Sequence, residues 1–221
     1  MIRICPVLLL LFLTGCALSP ARSPAPVQPG PCASACGQLT PRGEWQFVHS
    51  ITFSGQAMAG SLLGVTVVQG ATLRCALLTL EGLTLFEARE DDTLQILRAL
   101  PPFDRPGFAE GLMNDVRLLF IHPTPAMPGM QCGRDASGQD ICRYRDRRDW
   151  SVDLVPLADG CFGLRAWSGQ TGETRTITSR DCALTDGYRL ARHITLAADG
   201  PRPYTLTMTL IEALPAQQSA P

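Results

Sequence analysis

Cysteine is the residue type whose spacing in this sequence most clearly predicts chemistry. There are nine cysteines, and six of them lie in pairs that are close in sequence: Cys32 with Cys36, Cys132 with Cys142, and Cys161 with Cys182. We expect disulfides from these pairs, although spacing alone leaves the connectivity open, and an oxidising compartment follows from them. Zinc is not favoured, because no C-x-x-C pair occurs and the histidines lie far apart. Cys75, within "TLRCALLTL", is predicted to be an inert buried thiol.

Enzyme motifs are absent from the sequence. It contains no G-x-S-x-G elbow, no H-E-x-x-H, no phosphate loop and no dinucleotide fingerprint. It also has no lysine, which excludes Schiff-base chemistry. His49 is predicted to be an edge-strand residue or a satisfied core group, His122 a helix-end residue favoured by the helix dipole, and His193 a strand residue. We therefore expect no enzyme, no cofactor and no metal site.

The N-terminus is typical of an export signal. Arg3 precedes an apolar stretch, Ile4–Leu13, which is far shorter than the roughly 20 residues that span a bilayer. The tetrad Leu13-Thr14-Gly15-Cys16 that follows resembles the lipobox of bacterial lipoproteins. The resemblance implies that residues 1–15 are a cleaved signal peptide and that Cys16 carries a diacylglyceryl group on its thiol. The alternative is an export signal that happens to contain a cysteine.

The segment after Cys16 predicts a tether. It consists mainly of Pro, Ala, Ser, Gln and Gly up to Pro31, so it has too little apolar surface to offset the entropy of ordering. We expect residues 16–43 to form a lipidated N-terminus and flexible tether, held to the membrane by acyl chains. In bacterial lipoproteins an Asp after the lipidated cysteine often signals inner-membrane retention. Ala17 therefore favours the outer membrane, facing the periplasm.

Charge patterning excludes one class of partner. The formal net charge is −1, so no basic field attracts nucleic acid. The densest charge run, "RYRDRRDW" at residues 143–150, alternates in sign and predicts a solvated edge strand or loop, with contact to lipid phosphates or an anionic polymer as the alternative. The acidic residues at 87 and 90–92 predict a solvated turn.

Most of the chain has the periodicity of β-strands. Trp150, Val152 and Leu154 alternate with polar residues, as do Tyr204, Leu206 and Met208, which indicates an antiparallel sheet with one dry face. Runs of this kind, separated by Gly, Asp and Pro, predict one β domain over residues 44–214 and a disordered tail at 215–221. The segments "GSLLGVTVVQG" and "CALLTLEGLTLF" are apolar on both faces, so we expect them to be covered on both sides.

One helix is predicted between two groups of strands. Asp104 is a candidate N-cap and Pro106 suits the first turn, while Phe108, Leu112, Val116 and Phe120 recur every four residues. The polar residues of this stretch are expected on the opposite, solvent-facing side: Glu110, Asn114, Asp115 and Arg117. Such a helix would cover the concave side of a curved sheet, either as permanent core or as a lid over an apolar cavity that opens for acyl chains.

Several segments together carry a family resemblance. The lipobox, the strand meander, "CALLTLEGLTLFEA", "GFAEGLMNDVRLLF" and "YTLTMTLIEAL" resemble an uncharacterised group of outer-membrane lipoproteins that is similar to the LolA and LolB lipoprotein carriers, over about Phe47 to Leu214. The resemblance implies a mainly β fold with one or two helices, in which a strongly curved antiparallel sheet forms an unclosed half barrel with a helix on its concave side. The sequence departs from the carriers in its cysteine-bearing insert, and it does not locate the exposed hydrophobic loop with which the membrane-anchored receptor inserts its cargo.

The predicted function is therefore ligand binding at the membrane. We expect a lipid-anchored, periplasm-facing protein that binds acyl chains of a lipid or lipoprotein in the curve of the sheet. The alternative is a structural or assembly lipoprotein that docks an envelope protein partner and carries no ligand. The residues predicted to line the apolar cavity are Leu63, Val65, Phe108, Leu112, Val116 and Phe120.

Overall fold

A computed structural model describes residues 24–31, 36, 43–56, 59–122, 129–157, 159–185 and 187–215. The predicted signal peptide, the predicted lipid-attachment residue Cys16, Cys32 and residues 216–221 of the predicted tail lie outside these ranges. Among the described residues, no helix has the length and apolar character needed to cross a membrane.

Alternating apolar and polar residues build one antiparallel sheet. Its order is β1-β7-β8-β9-β10-β11-β12-β13-β2-β3-β4-β5-β6. The edge strands β1 and β6 do not pair with each other, so the sheet curves without closing into a barrel, which confirms the predicted fold class. The described strands are β1 Gln28–Pro29, β2 Glu44–Gly55, β3 Ala59–Gln69, β4 Thr72–Leu78, β5 Thr84–Glu90, β6 Leu94–Ala99, β7 Gln131–Arg134, β8 Asp140–Arg145, β9 Trp150–Pro156, β10 Phe162–Ser168, β11 Thr174–Thr185, β12 Tyr188–Asp199 and β13 Tyr204–Pro215. Because β13 includes Pro215, the predicted tail begins one residue too early.

The predicted helix forms, but it begins later than expected. Helix α1 spans Phe108–Phe120, and the residue before it, Gly107, has a left-handed backbone with φ 76°. No side chain caps the helix, so the prediction that Asp104 caps it and that Pro106 lies in its first turn is wrong. Glycine adopts the left-handed conformation without steric cost, which lets the chain turn sharply into the helix after Pro106.

Helix α1 lies on the concave side and joins two apolar clusters. Leu118 and Leu119 belong to a cluster formed mainly with strands β8–β13. Met113 and Val116 belong to a second cluster, formed mainly with strands β2–β5. The helix is therefore the element through which the two halves of the core meet.

Strand β3, which is apolar on both faces, presents different side chains to the interior from those that were predicted. Leu62, Thr66 and Val68 are buried toward the concave side, whereas Leu63 and Val65 are only half-buried. Since successive side chains of a strand point to opposite faces, Leu63 and Val65 lie on the convex face and do not line the interior. Their half-burial also corrects the expectation that this strand is fully covered on both sides.

Part of the predicted tether is attached to the sheet. Strand β1 pairs with β7, the N–H of Gly30 donates to the Cys132 carbonyl at 3.0 Å, and the Arg143 guanidinium donates to the Ala25 carbonyl at 2.7 Å. A Cβ at Gly133 would overlap the Gln28 carbonyl, so glycine there allows this close approach. The prediction of a free tether over 16–43 is thus wrong for residues 25–30.

The disulfides agree with the predicted residues but only partly with the predicted pairing. Cys161–Cys182 is confirmed, and Cys75 is a free, buried thiol as predicted. Cys36 bonds to Cys142 across 106 residues, so the local pairings Cys32–Cys36 and Cys132–Cys142 are wrong. Cys132 lies directly opposite Cys142 in the β7–β8 pair and is itself disulfide-bonded. The docking of the N-terminal segment on β7 brings Cys36 to this hairpin, which sequence distance alone did not indicate.

Candidate functional site

Three of the four polar side chains of helix α1 are buried against the sheet, which corrects the prediction that they face solvent; Glu110 is exposed as predicted. Asn114, Asp115 and Arg117 are each no more than 6% exposed. Buried charges are costly unless they are paired. Asp115 and Arg117 each meet an oppositely charged partner from a strand, and the two partners lie on different parts of the sheet.

Asp115 connects the helix to β11 and β13. The Arg175 Nε donates to Asp115 Oδ1 at 2.8 Å, and the Tyr204 hydroxyl donates to Asp115 Oδ2. The Arg175 guanidinium also lies over the Trp150 ring, 5.2 Å from its centroid. Complete burial raises the pKa of the Asp115 carboxyl, while Arg175 and Tyr204 oppose that rise. Burial also raises the pKa of the Tyr204 phenol, which keeps it a hydrogen-bond donor.

Arg117 connects the helix to β5 through a group that we call the clasp, formed by Glu90, Arg117 and Arg148. Glu90 Oε1 accepts from Arg117 and from Arg148, each at 2.7 Å. Arg148 lies in the β8–β9 turn and also donates to the Glu110 carbonyl of the helix at 2.8 Å. The clasp therefore joins three elements, namely the helix, β5 and the β8–β9 turn. Glu90 had been predicted to lie in a solvated turn, and it is 6% exposed.

The space between the helix and the sheet is nearly filled. Two cavities, of about 40 Å³ and about 30 Å³, lie there. Both are lined by His49 of the sheet and by Leu119 and Phe120 of the helix, so these three side chains separate them. A pocket for a small ligand has roughly 300–1,000 Å³. The structure is therefore a closed state in which the helix is packed as core.

The predicted cavity residues divide into three groups. Leu112, Val116 and Phe120 line the cavities. Phe108 packs instead against Phe86 and Phe103, with ring centroids 5.6 and 5.2 Å away. The other two predicted residues, on β3, lie on the convex face as described above.

His49 occupies a central strand at the floor of both cavities. It is 2% exposed and packs beside the stacked rings of Phe47 and Phe120, whose centroids lie 6.3 and 5.8 Å from its own, and its Nδ1 has no hydrogen-bond partner. Burial lowers its pKa to about 4, so the ring is neutral at pH 7. The prediction of an edge residue or a satisfied core group is thus wrong, because the residue is in the core and is not satisfied.

The other two histidines lie apart from the cavities. His122 donates from Nε2 to the Leu118 carbonyl at 2.7 Å and packs edge-on against Phe162. Burial lowers its pKa to about 4, so it is not the dipole-stabilised cation that was predicted. His193 contacts Thr209 at 3.3 Å and Asp181 at 3.6 Å. Within the part of the chain that the structure describes, no three His, Cys, Asp or Glu side chains come together as a metal site.

The arginine-rich run at 143–150 forms internal ion pairs. Arg143 binds Asp153 with two hydrogen bonds, and Arg145 pairs with Asp149 at 2.8 Å. Arg148 belongs to the clasp, and Arg147 lies 3.7 Å from Asp92. The arginines of this run are thus paired with carboxylates of the same chain, which weakens the attraction that they could exert on an external anion.

A group of exposed aliphatic side chains lies at one corner of the sheet, which we call the apolar corner. It comprises the β4–β5 turn, edge strand β6 and the residue that follows β6. Leu80 and Leu83 of the turn are 61% and 54% exposed, and Ile96 and Leu97 of β6 are 51% and 59% exposed. Exposed groups of this kind mark contact surfaces for membranes or proteins.

The architecture matches solved structures. A LolA superfamily protein from Nitrosomonas europaea aligns with a TM-score of 0.52 at 9% sequence identity, covering 81% of this chain and 89% of that chain. The chain has a LolA-like fold. A DUF1329 family protein from Desulfovibrio piger is less closely similar, with a TM-score of 0.37 at 7% identity, covering 84% of this chain and 90% of that chain. A putative outer membrane lipoprotein-sorting protein domain from Vibrio parahaemolyticus has a TM-score of 0.33 at 8% identity, covering 80% of this chain and 87% of that chain. No family model matches the sequence, and no curated protein matches it.

Within this LolA-like fold, sequence reasoning missed the charged residues around the helix. One signal was present although the prediction placed Asp115 on the opposite side, because Asp115 lies three residues after Leu112 and four before Leu119, at spacings that put it beside the apolar stripe. A carboxylate on such a stripe indicates a buried partner. Glu90 and Arg175 carried no comparable signal, since their burial depends on how distant strands meet the helix.

Proposed function

We propose that this chain is a lipid-anchored envelope protein that binds acyl chains of a lipid or lipoprotein between helix α1 and the concave face of the sheet. It would be anchored through Cys16 in the outer membrane and face the periplasm. The observation that carries the proposal is the LolA-like unclosed barrel, whose apolar concave face is filled by a single helix. Among the described residues, that helix is held by packing and ion pairs, since neither described disulfide involves it.

Ligand binding requires the helix to move. The two cavities are too small for an acyl chain, so Leu119 and Phe120 must leave the sheet before one can bind. The clasp holds the helix from the side of β5, and breaking it removes the contacts of Glu90 with two arginines. This movement exposes apolar surface, which the ligand then covers again. Each Å² of apolar surface that the ligand removes from water stabilises the complex by about 25 cal/mol.

The apolar corner suits transfer at a membrane. The resemblance to the LolA and LolB carriers implies an exposed hydrophobic loop in the membrane-anchored receptor. In this chain the β4–β5 turn displays Leu80 and Leu83, two side chains that can enter the apolar layer of a bilayer. This supports a role as a receptor that works at the membrane surface.

Native mass spectrometry tests the proposal on the mature chain carrying Cys16→Ser, incubated with bacterial lipid extract. We expect bound lipid, and more of it in Arg148→Met, which weakens the clasp by removing one of the two arginines that bind Glu90. The matched control is Arg134→Met, which breaks only the exposed pair with Asp140. A chain that takes up no lipid in any of these forms contradicts the proposal.

The alternative, a docking lipoprotein without a ligand, is favoured by one observation, the apolar corner. Its other motivation is weakened, because the arginine-rich run pairs internally. A photo-crosslinking amino acid at Leu83 in cells separates the two proposals, with position 184 as the control because Leu184 is 70% exposed on another hairpin. A single stoichiometric protein captured only at position 83, together with no lipid uptake, favours docking.

A further inference from the structure

His49 is a polar side chain that the packing of the closed state leaves unsatisfied. It is 2% exposed, and its Nδ1 has no partner. Leaving a buried donor or acceptor unpaired costs free energy. A phenylalanine there would continue the aromatic surface of Phe47 and Phe120 without that cost, so the imidazole is unexplained by packing alone.

The position of His49 places it where a ligand would lie. It lines both cavities, and the only other residues common to both linings are Leu119 and Phe120 of the helix. When the helix moves away, the two cavities become one, with His49 at the centre of its floor. Most of the surrounding wall is apolar, with Ile51, Leu77 and Met208 on one side and Val68 and Ile194 on the other.

We propose that His49 is a polar subsite for an acyl chain that carries a neutral group able both to donate and to accept a hydrogen bond, namely a hydroxyl or a secondary amide. This inference rests on the proposed function and names the ligand chemistry of the same site. A plain hydrocarbon chain leaves Nδ1 unsatisfied, and an ester, which can only accept, satisfies Nδ1 only in the tautomer that carries the proton there.

The neutral state of the ring selects the type of group. A neutral imidazole has one donor nitrogen and one acceptor nitrogen. Burial lowers the pKa of His49 to about 4, so the ring is not a cation that could bind a carboxylate or phosphate at pH 7. The arginine in the lining of the first cavity, Arg189, is an exposed side chain at its rim. A charged group would also lose its hydration in this apolar surrounding. A hydroxyl or an amide N–H can bond to the acceptor nitrogen, and the oxygen of either group can accept from the donor nitrogen.

Competition binding tests the subsite with the mature Cys16→Ser chain and a fluorescent long-chain fatty acid. The competitors are methyl myristate, methyl β-hydroxymyristate and N-methylmyristamide, which share one chain length and no charge. We expect the hydroxyl and amide compounds to bind about 3- to 10-fold more tightly than the plain ester, as one added hydrogen bond implies. His49→Phe should remove this preference, and His49→Gln, which keeps a donor and an acceptor, should keep part of it.

The control is His122→Phe, which removes a second buried imidazole that lies outside both cavity linings and should leave the preference unchanged. Circular dichroism establishes that each variant is folded. A stronger effect of the hydroxyl than of the amide indicates a hydroxylated acyl chain, and the reverse indicates an N-acylated one. Equal binding of all three competitors, or a preference that survives in folded His49→Phe, overturns the inference while the proposed function stands. If the fluorescent fatty acid itself does not bind, the proposed function fails and the inference fails with it.

Discussion

The two flanks of the sheet are stabilised in different ways. In the disulfide flank, strands β7–β11, the bridge Cys36–Cys142 links the sheet to a segment 106 residues away, and Cys161–Cys182 links two residues that are 21 apart. In the open flank, strands β3–β6, the single cysteine is Cys75, a free buried thiol. The open flank also carries the apolar corner.

Helix α1 is attached to both flanks, but by different contacts. Asp115 binds Arg175 of the disulfide flank in a buried network, whose ion pair has side chains 2% and 7% exposed. Arg117 binds Glu90 of the open flank, within a clasp whose third member, Arg148, has a side chain 29% exposed. The Arg117–Glu90 pair is itself buried, with side chains 7% and 8% exposed, so the contact that water screens and competes for is the one between Arg148 and Glu90. Because the clasp depends in part on this exposed contact, we expect the helix to separate from the open flank first and to stay attached to the disulfide flank.

The largest effect is expected from Asp115→Ala. It removes the hydrogen-bonded carboxylate from the buried Arg175 guanidinium and leaves only Glu173, at 3.6 Å, so the free energy of unfolding should fall by roughly 3–5 kcal/mol. Urea denaturation followed by tryptophan fluorescence measures this loss. The matched control, Asp140→Ala, breaks the exposed pair with Arg134 and should cost about 1 kcal/mol or less. Equal losses for the two variants would remove the distinction between the buried network and the surface.

The next effect concerns the bridges. Changing Cys161 and Cys182 together to Ser removes a crosslink between residues 21 apart in sequence, which should cost about 3 kcal/mol in the loop-entropy model. Cys75→Ser breaks no crosslink, and Thr66 lies directly opposite on β3 as a hydrogen-bond partner, so it should cost about 1 kcal/mol. Chemical denaturation of both variants compares the flanks. A larger loss of stability for Cys75→Ser than for the double Cys161/Cys182 variant would contradict the conclusion that the bridge stabilises the disulfide flank more than the free thiol stabilises the open flank.

Acidification should destabilise the protein through its buried histidines. Burial lowers the pKa of His49 and of His122 to about 4, so between the unfolded value of 6.5 and that value the unfolded chain binds protons that the folded chain does not. Stability is therefore present above pH 6.5 and is lost as the pH falls, by about 2 kcal/mol per ring between pH 7 and 5. His49→Phe and His122→Phe should each remove about half of this dependence in urea titrations at the two pH values. An unchanged dependence would show that the ring concerned is protonated in the folded state.

The energetic effect expected at the clasp is smaller than that of the buried network, but it decides which flank opens. Arg148→Met should cost about 1–2 kcal/mol, less than the buried network, because the arginine is partly exposed. Burial raises the pKa of Cys75 to about 12, so its thiol reacts with a labelling reagent only when the open flank separates. We expect Arg148→Met to accelerate labelling of native protein about 5- to 30-fold, the factor that a cost of 1–2 kcal/mol corresponds to, while Arg134→Met leaves the rate unchanged. Equal labelling rates for Arg148→Met and Arg134→Met would show that the clasp does not control the opening of this flank.

The sequence by itself determined the class of fold and its main elements. Alternation at period two in β9 and β13 predicted half-buried antiparallel strands, and the four-residue spacing from Phe108 to Phe120 predicted the helix. These signals are local, because a strand or helix shows its buried face through the periodicity of its own side chains. The free thiol of Cys75 and the bridge Cys161–Cys182 were predictable for the same reason, since an apolar run and a short separation are both visible along the chain.

Only the tertiary structure decided the features that join distant segments. The bridge Cys36–Cys142 depends on the docking of β1 on β7, and the burial of Glu90 and Arg175 depends on where the curved sheet meets the helix. The face of Leu63 and Val65 was also decided there, because a strand that is apolar on both sides leaves its orientation open until its neighbours are known. His49 is the sharpest case, since one imidazole in an apolar strand is equally compatible with an edge, a satisfied core group or an unsatisfied subsite, and only the helix packed above it distinguishes them.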